Sequence, residues 1–165
     1  MESIAWQAIS FGVNYLVTQR ILYPLMSSTS YEKQADVYYD KAMQAIVLQY
    51  KAQVNELSVF KQIHDDLADL LIANGSNRFY VDTRQMGVML VEGQQYVIKE
   101  MFPRMLAHLQ GKKLYHVQVI SETDAFARFG AKNIKTSITK ATDNPVVEAY
   151  TDEQAAKAWL QEQAL

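Results

Sequence analysis

The residues best suited to chemistry in this chain are Asp82, Thr83 and Arg84, which close one strand-like run, and Ser121, Glu122, Thr123 and Asp124, which close another. In open α/β sheets a ligand sits beyond the carboxyl ends of the parallel strands, where loops and helix amino termini converge. There Arg84 can clamp an anion or carboxylate, and Asp82 or Asp124 can act as acid or base. The same residues also have ordinary work available. Asp82 and Thr83 suit loop amides, Arg84 suits a neighbouring acid, and Thr123 or Asp124 suits a helix cap. That second account needs no ligand and is the expectation.

His64, Asp65, Asp66 and Asp69 form the densest group of metal-type ligands. On a helix His64 points about 100° away from Asp65, and a zinc site needs at least three convergent ligands. A solvated acidic face is therefore expected, with no metal. His116 alternates with apolar neighbours on a strand and either faces solvent or lines a pocket. His108 complements a helix end. No Gly-x-Ser-x-Gly, Walker-type Gly-Lys-Ser/Thr or Gly-x-Gly-x-x-Gly occurs, so no nucleophile elbow or phosphate loop is indicated. Met86, Met89, Met101 and Met105 accompany Phe102; such adaptable side chains fill a core or line a cavity for an apolar ligand. Tyr31, Tyr38 and Tyr39 are candidates for an exposed patch that meets a partner or a second copy.

The chain has 165 residues, 49% apolar, with 16 basic against 18 acidic side chains. One domain fits that length. The balance of charge gives no polybasic footprint for nucleic acid. The absence of cysteine excludes disulfides, thiolate catalysis and cysteine-ligated clusters.

The elements that must position these residues follow from hydrophobic spacing. Val37 to Tyr39, a turn at Asp40-Lys41, and Met43 to Tyr50 read as a hairpin. Asn55 is placed to cap a helix carrying Leu57, Phe60, Ile63, Leu67, Leu70 and Leu71, which stops at Asn74-Gly75. Arg78 to Val81 is a strand. A second helix carries Val97, Ile98, Met101, Phe102, Met105, Leu106 and Leu109, and Pro103 should kink or split it. Leu114 to Ile120 is a strand, a third helix starts near Thr123 or Asp124, and Val146-Val147 is a last short strand. Thr151 with Gln154 suits a capping box on a closing helix. Alternating strands and helices imply right-handed parallel crossovers after the antiparallel hairpin. The fold class is thus α/β, a mixed sheet of about five strands flanked by about four helices.

Met1 to Leu25 are apolar but do not join this pattern. Gln7, Ser10, Asn14, Thr18, Gln19 and Arg20 interrupt the run of about 20 apolar residues that a spanning helix needs. The opening Glu2 does not suit a secretory signal. Residues 1–30 are read as an apolar extension and 31–165 as a single domain. The extension is either a segment the fold does not need, with the polar stretch after Met26 as a free end, or an amphipathic helix docked on the domain or a partner. A membrane-surface helix is less favoured because Arg20 is its only basic residue.

The order of elements resembles the SpoIIAA-like fold of STAS domains, the anti-sigma-factor antagonists, and more distantly the lipid-carrying CRAL-TRIO domains. The run from Phe79 to Met89 and the Phe102-Pro103-Arg104 step are similar to those of small bacterial STAS-like proteins. Asp82, Arg84, Met86, Phe102 and Arg104 carry the likeness. STAS antagonists present a regulated serine in an Asp-Ser-Ser-Gly motif; this chain has Gln85-Met86-Gly87-Val88 there, and Thr83 is the nearest hydroxyl. The resemblance implies a cytoplasmic, non-catalytic regulatory or protein-interaction module without cofactor, with a protein partner or self-association as a dimer. The candidate binding residues are Asp82, Thr83, Arg84, Met86, Phe102, Arg104, Ser121 and Asp124. Alternatives are a carrier or sensor of a small apolar ligand, and an enzyme using Asp82 and Arg84. No nucleic acid or membrane is expected as a partner.

Overall fold

A computed structural model describes residues 28–31, 33–123, 125–139 and 143–165. The extension up to Leu25 and the candidate Asp124 lie outside the described residues. Strands β1 (Ser28–Tyr31), β2 (Ala35–Asp40) and β3 (Ala45–Tyr50) are followed by helix α1 (Leu57–Asn74) and strand β4 (Arg78–Asp82). A helical stretch then comprises α2 (Val91–Tyr96), one wide π turn (Val97–Met101) and α3 (Phe102–His108). Strand β5 (Tyr115–Val119), helix α4 (Ala125–Thr139), strand β6 (Val146–Tyr150) and helix α5 (Glu153–Glu162) complete the chain. The six strands form one sheet in chain order, antiparallel from β1 to β3 and parallel from β3 to β6.

The expected hairpin is present. Its turn is held by Asp40, whose Oδ1 accepts the backbone N–H of Ala42 at 2.8 Å and of Met43 at 3.0 Å. The sheet nevertheless has a sixth strand that the sequence did not suggest. The serines read as a free polar end pair with β2, and Ser30 Oγ donates to Asp36 at 2.7 Å. A sheet margin needs backbone pairing on one side and no apolar face of its own, so polar residues serve there. The boundary expected at Tyr31 therefore falls inside β1.

Each crossover steps to the next strand in the same direction, which stacks the helices on one face of the sheet. Ile46, Leu48, Phe79 and Val81 turn to that face, where Ile63, Leu67, Phe102, Met105 and Ile134 cover them in a single core. Val47, Tyr80, Val117 and Val119 turn to the other face, under Ala156 and Leu160 of α5. Both faces of β3 are covered, so its residues read as a near-continuous apolar run.

Helix ends depart from the sequence reading by a residue. Glu56, not Asn55, stands at the cap of α1 and makes no side-chain cap bond. Asp152, not Thr151, caps α5, accepting from Ala155 N–H at 2.7 Å. Gly75 ends α1 in the left-handed region at φ 61°, as expected. Pro103 does not break its helix. The π turn lies directly before it, with Phe102 N–H donating to Val97 O, and this wider turn accommodates a ring that would collide with the preceding turn. Among the described residues no helix is long and apolar enough to cross a membrane.

Candidate functional site

The parallel topology brings the ends of β4 and β5 and the start of α5 to one edge of the sheet. Asp82 is buried there, and Arg84 folds back onto it. Arg84 Nε donates to Asp82 Oδ1 at 3.0 Å and Nη2 to Oδ2 at 2.6 Å, a two-point contact matched to the carboxylate. The same Nη2 reaches Glu153 Oε2 at 2.7 Å, and Lys157 holds Glu153 Oε1 at 2.6 Å. The hydrogen bond from Lys157, and after it that from Arg84, holds the Glu153 carboxyl below its usual range. Asp82 and Glu153 in turn make the Arg84 guanidinium harder to deprotonate. Thr83 donates through both its N–H and its Oγ1 to Val119 O, each at 2.9 Å, so it ties β4 to the end of β5. Ser121 and Thr123 contact each other at 3.1 Å in the following loop.

The sequence-derived candidates thus fall in separate places. Asp82, Thr83 and Arg84 come together with Glu153 and Lys157, which the sequence reading missed. Met86 and Phe102 are core residues, 4% and 1% exposed. Arg104 lies on the helix surface and pairs with Asp65 at 3.3 Å and with Asp69. Asp65 also accepts from Tyr96 OH, and Asp66 from Tyr31 OH at 2.5 Å. The acidic face is therefore engaged by partners rather than only solvated. Tyr31 and Tyr39 pack on one face of the sheet and Tyr38 on the other, all partly buried, so they form no common exposed patch. Among the described residues no group of three or more acidic or histidine side chains is placed to hold a metal ion.

Two histidines lie in the core on the multi-helix face. His64 points inward, not along the acidic face; its Nδ1–H donates to Phe60 O at 2.8 Å, and Tyr50 OH faces Nε2 at 3.4 Å. His116 stacks on Phe79 with ring centroids 3.9 Å apart, and neither ring nitrogen has a partner among the described residues. Burial pushes the pKa of His64 down to about 4 and that of His116 down to about 3, the latter with a smaller contribution from His64. Between them and Met86, Met89 and Met101 lies a cavity of about 20 Å³, room for one water molecule. The methionines and Phe102 of this helix are therefore mainly core-filling, and the cavity they border is small.

The fold and this edge define the class as an α/β domain with a mixed, helix-covered sheet and an interlocked cluster of charges at the carboxyl ends of its parallel strands. No family model matches the chain, and no curated protein or solved structure matches it.

Proposed function

We propose that this chain is a regulatory protein-interaction module of the STAS-like type, cytoplasmic and non-catalytic, whose partner docks on the loop that follows β4. The observation that carries this reading is the run Val88-Met89-Leu90-Val91, in which none of the residues is buried and Val88 and Val91 are 53% and 65% exposed. Val88 and Val91 flank Met89, which packs against the core, and half-buried Leu90, so the two valines offer an apolar surface for a partner to cover. The loop is held at both ends by rigid structure. Arg84 is locked to Asp82 and Glu153 on one side, and Gly93 of α2 lies against Phe60 of α1 on the other. By the STAS-like resemblance, this is also the region where antagonists present their regulated serine. An enzymatic role for Asp82 and Arg84 is disfavoured, because the two are already bonded to each other.

A photoreactive amino acid placed at position 88 in its own host, with position 51 as control, tests the proposal. A partner protein captured at 88 and not at 51 is expected, and purified partner should bind Val88→Asp/Val91→Asp at least about tenfold more weakly, the loss of two buried valines. Equal capture at both positions, or equal affinity of the double variant, would refute this docking surface.

A further inference from the structure

An open volume lies between α4 and the strands β5 and β6. It is a groove of about 210 Å³, about ten times the one-water cavity beside His116. Ile120, Val147 and Ala149 are among the residues that line it. Arg128, Lys132 and Lys135 supply the charge. Their spacing of four and then three residues sets all three on one face of α4. Lys135 is held by Glu148 at 2.9 Å, whereas no ion pair among the described residues engages Arg128 or Lys132.

Like charges one helical turn apart repel; Glu148, which also lines the groove, offsets this at Lys135, and a further anion beside Arg128 and Lys132 would offset the rest. It also stands out in a chain with a net charge of −2. Inorganic phosphate alone would use the cations and ignore the apolar residues, whereas a hydrocarbon alone would do the reverse. Gln118, buried to 5% exposure, borders both this groove and the small cavity of His116. The apolar end of a ligand lying along β5 would therefore point toward the core.

We propose that the groove binds a small organic anion with a short apolar body. Its oxyanion group pairs with Arg128 and Lys132, and its apolar part lies on Ile120 and Val147. Arg128 offers the planar two-point fork that a carboxylate accepts, and Lys132 adds a point charge beside it. This site is distinct from the loop 88–91 surface and does not depend on a partner protein binding there.

The test is an amide-resolved NMR titration of the full chain with sodium hexanoate, run beside hexan-1-ol and acetate. Hexanoate is expected to shift the amides of Ile120, Val147 and Ala149, and to bind at least about tenfold more tightly than either control, the size of one charge-assisted contact or of a buried short chain. Binding should weaken as salt rises. Arg128→Gln/Lys132→Gln should weaken hexanoate binding by about tenfold and leave hexan-1-ol binding unchanged; both side chains are exposed, so the fold is kept. The proposal is overturned if hexanoate shifts no groove amide, if the alcohol binds as well as the acid, or if the double variant binds hexanoate like the wild type.

Discussion

Acid should unfold this domain through His64 and His116 before its carboxylates protonate. Both rings are neutral in the fold down to about pH 4, because burial lowers their pKa values to about 4 and about 3 from the usual 6.5. In the unfolded chain they take up protons from pH 6.5 downward, so the unfolded state binds more protons and stability falls as pH falls. Between pH 7 and pH 5 each histidine costs about 2 kcal/mol, since one pH unit below the unfolded pKa is worth about 1.36 kcal/mol. Together they cost about 4 kcal/mol, a large share of the roughly 5–15 kcal/mol that stabilises a domain. Asp36 and Glu153, whose pKa values are lowered by Lys51 and Lys157 respectively, act in the same direction only at lower pH. Urea unfolding followed by far-UV circular dichroism at pH 7, 6 and 5 measures the slope. His116→Phe should halve it, and NMR titration of the wild-type rings gives an independent reading if that variant folds poorly. A loss below about 1 kcal/mol from pH 7 to 5, or a His116 resonance titrating near 6.5, would show that these rings are not sealed in the core.

Three further perturbations probe the frame around the site. Arg84→Ala leaves the Asp82 carboxylate buried with only the residue-84 backbone N–H as partner, and should cost about 2 kcal/mol in urea unfolding. Arg84→Lys should recover only part of that, because an ammonium cannot reproduce the fork. Gly93→Ala puts a Cβ 3.0 Å from Phe60 Cε1 and should destabilise by about 1–3 kcal/mol, since two packed helices must separate; a neutral result would mean Phe60 can move aside freely. Arg78 is buried and donates to the carbonyls of Met43, Gln161 and Gln163. Arg78→Ala should therefore release the carboxyl-terminal residues, seen as faster amide exchange at the end of α5 with the rest of the domain unchanged.

The parts of this architecture that depend on local pattern were legible in the sequence, and the parts that depend on long-range contact were not. The end of β4 was recognisable as a candidate site because strand ends alone locate it. Its occupation by Glu153 was not, since that partner is 69 positions away and arrives only when the last crossover carries α5 under the sheet. His64 illustrates a signal present but outweighed. The acidic neighbours suggested an exposed face, yet its spacing from Phe60 and Leu67, four and three residues, already set it on the core stripe. β1 carried no signal at all, because a four-residue polar edge acquires its strand character from β2 rather than from its own residues. The cationic stripe of α4 was readable from spacing, but as a charged helix face it had no distinguishing feature. What sets it apart is that these exposed side chains rim an open groove against β5 and β6, a consequence of how α4 packs. A helical charge pattern therefore becomes a candidate site only once the fold decides whether it faces water or a cleft.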